Sequence, residues 1–472
     1  MLYNGRNSIN LGGFIMIKDL KIAYIGGGSR GWAWGLMANL ALAEDICGEV
    51  ALYDIDFDAA KANETIGNKI RAEKDCKSPW SYKAYEKISD ALSGADFVII
   101  SILPGTFDEM ESDVHAPEKF GIYQSVGDTS GPGGVIRAMR TIPMFEEIAL
   151  EIKANCPNAW VINYTNPMTV CIRTLYKVFP EIKAFGCCHE VFGTQKLLAN
   201  VLDETAGIKD VKREDIKVNV VGINHFTWLT AAQYKNIDIY PLYKKFCEKY
   251  AETGYGKKSD NNWTNSVFES EEKVKMDLFL RYGIIAAAGD RHLAEFCDKE
   301  WYLDSPERVK EMHFSLTPVS WRKKDLKKRL EKSAKLVSGE IEFELSDNGE
   351  EGVEQIRALL GLCDLVTNVN IPNIGQIPNL PLGVVVETNA AFRADSLQPV
   401  MSGNIPDEIY ALISRIVGEQ EITVDAGLER NLEKAFLAFI ADPLVNIGIK
   451  QARELFDEMI SNTKKYLEGF KI

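Results

Sequence analysis

The spacing of hydrophobic positions changes part-way along the chain. Up to about residue 200, short apolar runs alternate with stretches of helical spacing. Residues 21–25, 49–54, 95–101, 159–164 and 182–186 predict strands. The run 95–101 is almost continuously apolar, as expected where both faces of a sheet are covered. Residues 32–42 and 141–154 predict helices. Strands alternating with helices imply an α/β fold with a Rossmann-like, doubly wound parallel sheet. Further on, 218–222 reads as a strand, whereas 270–281, 322–337, 351–362, 407–420 and 428–440 have helical spacing. The expected organisation is therefore a nucleotide-binding unit at 19–205 and a mostly helical α+β unit at 206–472. Residues 254–258 are the most loop-like stretch of the second half, and no internal repeat or low-complexity linker breaks the chain.

Residues 1–18 read as a short extension with no signal-peptide architecture, and Met16 is a possible alternative start. No apolar run is long enough to span a bilayer, so no membrane partner is expected. A length of 472 residues, 46% hydrophobic and 26% charged, is that of an ordinary globular protein. The net charge of −14 argues against a nucleic-acid surface, which needs clustered Lys and Arg. Nine cysteines without framework spacing fit a reducing compartment, and the cytoplasm is the expected location.

The chemistry concentrates in two places. The first strand runs into Gly26-Gly27-Gly28-Ser29-Arg30-Gly31, and the next ends in Asp54. Strand, glycine turn, helix, strand and acid make a dinucleotide-binding unit. Gly26, Gly28, Ser29 and Arg30 are the candidate phosphate-binding residues. Asp54 would accept from the ribose hydroxyls and repel a 2′-phosphate, which favours NAD. Downstream lie Gly186-Cys187-Cys188-His189 and Gly222-Ile223-Asn224-His225, holding two of only five histidines. One thiolate and one imidazole leave open positions on a divalent ion, as a catalytic metal requires. The residues alone fit a buried cysteine with satisfied histidines equally well. Asn163 to Met168 resembles the strand-end Asn-Pro segment of the lactate/malate dehydrogenase superfamily. The Asp-paired histidine in a G-x-H-G setting that such enzymes use is absent. Net hydride transfer is thus the alternative function.

From about Lys21 to the C-terminus the chain resembles glycoside hydrolase family 4, NAD- and Mn-dependent glycosidases. The motifs are Gly26-Gly27-Gly28-Ser29, Gly127 to Gly134, Asn166-Pro167, Gly186-Cys187-Cys188-His189 and Gly222 to Phe226. The stretches 163–193 and 288–296 resemble the α-galacturonidase subgroup. This family departs from the two-carboxylate scheme of most glycosidases. The resemblance implies hydride removal from the sugar C3 by NAD, deprotonation at C2, elimination of the C1 leaving group, water addition and hydride return. It implies a Mn2+ or other divalent metal on Cys188 and His225, with Cys187 leaving the choice of sulfur open. It implies Asn166 at the substrate, His189 as proton donor, and Asp113 as an acid assisting the leaving group. For the C2 base it implies Asp290, with a tyrosine such as Tyr255 or Tyr240 as the alternative. Arg291 and His292 are candidates for the substrate carboxylate, with Glu111, Arg137 and Arg140 as other polar contacts. The expected substrate is a galacturonide or oligogalacturonide, and the expected assembly a homodimer.

Overall fold

Six parallel strands form the centre of the larger sheet. Across it they lie in the order Lys183–Gly186, Trp160–Asn163, Phe97–Ile100, Phe14–Ile25, Ile46–Tyr53 and Ser81–Tyr85. Chain order therefore reverses between Phe14–Ile25 and Phe97–Ile100, the point where ligands of such sheets bind. Strands Leu365–Pro372, Val385–Arg393 and Ser396–Pro399 extend the sheet antiparallel, beyond Lys183–Gly186. At the start of the chain, Ser8–Leu11 folds back on Phe14–Ile25. This computed structural model describes residues 8–11, 14–256, 270–316, 318–347 and 349–471. Lys257 and Lys258 of the expected 254–258 loop lie outside the described residues.

Several elements run longer than hydropathy alone predicts. The first strand includes Ile17, which is fully buried and opposite Ile46. Lys18 and Asp19 interrupt the apolar run, and the register shifts there, with Asp19 at φ 60°. A polar bulge thus hides the strand's first half from a hydropathy reading. Residues 8–11 and 14–18, expected to belong to an extension, contribute strand to the sheet. The helix expected at 141–154 spans Gly131–Asn155. Its first turn, Gly-Pro-Gly-Gly, reads as a break. Pro132 loses nothing there, because first-turn N–H groups have no helical partner. A side chain at Gly133 would press on the carbonyls of Asp113 and Gly127 at 2.8 and 2.9 Å, so this glycine serves packing.

A second, antiparallel sheet contains Ile216–Ile223, Phe226–Tyr234, Ile237–Asp238 and Ile285–Ala286. Ile223 pairs with Phe226, so Asn224 and His225 form a two-residue connection between adjacent strands. Helices Gly131–Asn155, Asp407–Leu428, Leu432–Ala441 and Ile449–Thr463 pack beside this sheet in one apolar cluster that includes Phe226, Trp228 and Phe296. The same cluster takes in Ile377, Leu380, Val384 and Val386 beside and within the antiparallel extension of the first sheet, so the two sheets share one core. Among the described residues no helix is long and apolar enough to cross a membrane.

Candidate active site

The glycine loop leaves Phe14–Ile25 at the sheet's reversal point. Gly26 has φ 91°, and a Cβ there would collide with the Ser101 carbonyl. Asp54 accepts from the Gly28 amide at 2.9 Å through one oxygen and from Asp56 at 2.9 Å through the other. Each carboxylate oxygen keeps a second acceptor site. The helix Trp32–Leu42 that follows has no side-chain cap and no acid in its first turn. Its first N–H groups are therefore open to an anion, which is what a pyrophosphate needs. Asn63, fully buried, holds the loop from behind by donating to the carbonyls of Gly27 at 2.8 Å and Ser29 at 3.0 Å. Trp34 in turn donates to Asn63 at 2.8 Å.

The second group forms where Lys183–Gly186 ends. Cys187 and Cys188 diverge there. The Cys187 thiol donates to Gln355 at 2.8 Å and sits with Tyr164 at the edge of the core under the nucleotide unit. The Cys188 thiol lies in the field of Glu387 and Glu190 and touches Asn224. Burial first, and then those two acids, push it well above the ordinary thiol range. His225 reaches this region from the hairpin of the second sheet. Its ring stacks on His292 at 4.1 Å, and its Nδ1 lies 3.1 Å from the Thr129 hydroxyl. That hydroxyl donates to Asp128 at 2.8 Å. A hydroxyl has one proton, so His225 Nδ1 must donate to it, and the lone pair lies on Nε2. Burial and the neighbouring His292 lower the His225 pKa to about 3, so the ring is neutral.

Buried acids surround these groups. Asp128 and Glu190 are each held at about 2: burial works against ionisation, but Arg137, His292 and His225 outweigh it for Asp128, and the three imidazoles outweigh it for Glu190. Glu190 also accepts from the Gly289 amide at 2.8 Å. His189, the residue before the helix Glu190–Ala206, sits 3.0 Å from Glu350. Burial lowers its pKa, but Glu350 and Glu190 prevail and raise it to about 9. Asn166 donates to Asp128 at 3.5 Å, while its own Oδ1 is buried without a partner. Glu387 accepts from Asn368 at 2.6 Å and Asn224 at 3.1 Å, and burial lifts it to about 7.

The other expected site residues have the following partners. Asp113 is buried, with both oxygens on the Arg140 guanidinium. Asp113, expected as an acid assisting the leaving group, is thus held in a buried ion pair with Arg140. Arg140 is likewise committed, and it also donates to the Pro104 carbonyl at 2.9 Å. Arg291 donates to the carbonyls of Ser315 at 3.1 Å and Ser125 at 2.8 Å, so its guanidinium ties two loops together. Glu111 pairs with Lys323 at the surface. Asp290 is fully buried and accepts from the amides of Val274 at 3.2 Å and Lys275 at 3.0 Å, at the start of helix Lys273–Tyr282. The Tyr240 hydroxyl donates to the Leu229 carbonyl, and the Tyr255 ring packs 4.7 Å from that of Phe246.

The sequence profile of family 4 glycosyl hydrolases matches residues 21–204, and that of the family's C-terminal domain matches residues 220–445. The chain belongs to glycosyl hydrolase family 4. An alpha-galacturonidase of Thermoanaerobacterium saccharolyticum is 63% identical over 97% of this chain and 98% of that protein. One of Bacillus subtilis is 52% identical, covering 94% and 97%. A 6-phospho-alpha-glucosidase from gut microorganisms, solved with NAD and Mn2+, shares the fold with TM-score 0.77 at 21% identity, covering 96% and 100%. This chain is thus a glycoside hydrolase, as the resemblance implied.

In this family 4 enzyme, the side chains missed by motif reading are Asp128, Thr129, Glu190, Glu387 and Asn368. Two signals were available. Glu190 directly follows His189, and Asp128-Thr129 lies within the quoted 127–134 motif. Glu295, also missed, fixes that motif by accepting from Val126 at 2.7 Å and Gly127 at 2.9 Å. Nothing local marks Glu387 or Asn368. The pairing of Asp113 with Arg140 yields a stability prediction. Asp113→Asn leaves the buried guanidinium without its counter-charge and should cost about 3–5 kcal/mol. Urea unfolding measures this, and a loss under about 1 kcal/mol would contradict a buried ion pair.

Proposed function

We propose that this family 4 enzyme hydrolyses α-galacturonides with NAD and a divalent metal such as Mn2+, without net redox change. The observation that carries the reading is the convergence of Cys188, His225, Asp128 and Glu190 near one sheet edge that also bears the nucleotide loop. Relatives named alpha-galacturonidase at 52–63% identity support the substrate class. When bound, NAD supplies reversible oxidation at the sugar C3, and the metal supplies Lewis-acid polarisation of the oxygen there.

The residues present fit both groups. Gly26, Gly28, Ser29 and Arg30 with the uncapped helix would hold the phosphates, and Asp54 the ribose. Its negative charge favours NAD over NADP. For the metal, Cys188 and His225 are the ligands. Among the described residues no three His, Cys, Asp or Glu side chains form a cage by themselves, so substrate or water completes the shell. Thr129 orients His225 by accepting from Nδ1, the usual outer-shell device. Asn166, with its unpartnered buried oxygen, would bind a sugar hydroxyl. His189, protonated at neutral pH, is the proton donor to the leaving group. Asp290 is the base we assign at C2. Burial, then Glu272, lifts it to about 7, which suits a base working near neutrality.

The decisive assay incubates the protein with an aryl α-galacturonide, catalytic NAD+ and Mn2+ under reducing conditions. Sugar release without NADH accumulation is expected. Stoichiometric NADH with an oxidised, uncleaved sugar would instead make the protein a dehydrogenase. Thr129→Val removes the acceptor for His225, so Mn2+ affinity should weaken roughly 10–100-fold. Electron paramagnetic resonance of free Mn2+ measures it, and unchanged affinity would remove Thr129 from the site.

The base assignment has its own readout. Asp290 must be ionised to accept a proton, so kcat/KM should rise with pH through about 7. Asp290→Asn should abolish that limb and lose roughly 10²–10⁴-fold in turnover, together with C2 hydrogen exchange in D2O. A variant that melts early yet keeps C2 exchange would leave Asp290 only its helix-start role.

A further inference from the structure

The helix Val319–Ser338 packs on the helices Phe57–Ile70 and Phe107–His115. Val319 is buried against Met110 and Val114. Seven residues beyond Arg322, Arg329 donates to the Arg30 carbonyl of the nucleotide loop at 3.0 Å. Lys332 sits 5.7 Å over the Trp34 ring. The far part of this helix therefore serves the nucleotide loop. Arg322 lies about 10 Å back along the helix, at two turns' remove. Its Nε is buried without a hydrogen-bond partner, and among the described residues its guanidinium forms no ion pair. The nearest charges that act on it are Asp128, Arg329 and Asp325, and it is the chief charged neighbour of Arg291.

Three other guanidinium groups of this region have bonded partners. Arg140 pairs with Asp113, Arg291 holds two main-chain carbonyls, and Arg137 Nε donates to the Asn166 carbonyl at 3.1 Å. An unpaired, largely desolvated guanidinium is costly and expects an anion. A uronide brings one: its C6 carboxylate must enter a site already carrying the charges of Asp128 and Glu190. A planar guanidinium can take a carboxylate through two parallel hydrogen bonds.

We propose that Arg322 receives the C6 carboxylate of the substrate and so selects uronides over neutral sugars. This rests on the galacturonide reading above. Asp128 is the acid that acts most strongly on Arg322, and it neighbours His225 and Asn166, so we assign the anion that Arg322 awaits to the sugar and not to the dinucleotide.

The test uses the full chain with NAD+ and Mn2+, and compares an aryl α-galacturonide with the aryl α-galactoside, which has an alcohol at C6. In Arg322→Gln, KM for the galacturonide should rise roughly 10–100-fold, and the preference over galactoside should fall by the same factor. NAD+ affinity, read by quenching of protein fluorescence, should stay within about twofold. Calorimetric binding of galacturonate should weaken in parallel. If Arg322→Gln does not fold, Arg322→Lys carries the test, because it keeps the charge and loses the two-pronged geometry; a partial loss of the preference is expected. An undiminished preference in a variant beside an active wild type overturns the assignment alone. So does a loss confined to NAD+ affinity, which would give Arg322 to the cofactor's phosphates. No galacturonide turnover by the wild type overturns the functional reading and this assignment with it.

Discussion

Thr129 has one hydroxyl proton, and the buried carboxylate of Asp128 takes it. The rest of the site follows from that. Because the hydroxyl is already donating, it can only accept from His225, and the imidazole is left with its free lone pair on the opposite nitrogen. Because Asp128 is ionised and buried, it needs compensation, which Arg137 supplies first. In a low-dielectric interior an unpaired acid would be protonated instead, and the tautomer of His225 would no longer be fixed. The position of Asp128 in turn depends on Glu295, whose carboxylate anchors the preceding turn.

The two sheets meet at this point for different reasons. Parallel strands all end on one edge, so the glycine loop, Asn166 and Cys188 share that edge by topology. His225 does not belong to that sheet. It arrives because a two-residue connection projects it from the second sheet, whose apolar face is locked into the helical cluster of the C-terminal third. The antiparallel extension of the first sheet has a part as well. It brings Asn368 and Glu387 beside Cys188, with Asn368 donating to the Cys188 carbonyl at 3.2 Å.

Burial treats similar side chains differently according to their partners. Asp128 and Glu190 stay ionised because cations face them, whereas Glu387, satisfied mainly by neutral amides, is lifted to about 7. The histidines divide in the same way. Glu350 and Glu190 keep His189 charged, while His225, stacked on another imidazole, is neutral. One small region thus holds a charged and a neutral imidazole at the same pH.

The sequence by itself determined the parallel sheet, the glycine loop with Asp54, and the two segments carrying Cys188 and His225. These are local signals: an apolar run, a turn that only glycine permits, and scarce residue types next to strand ends. The family also followed from such motifs. Helix starts at glycine and proline, and a strand interrupted by Lys18 and Asp19, were hidden because tertiary packing overrides local preference there. How the two sulfurs part was decided only by the fold: adjacent in the chain, Cys187 turns to Gln355 and Cys188 to Asn224 and Glu387, because different elements pack on each side. The same holds for Asp113. An acid near the site in sequence terms was given a buried partner, Arg140, that lies 27 residues away. Charge pairing in an interior is set by distance in space, and no pattern along the chain records it.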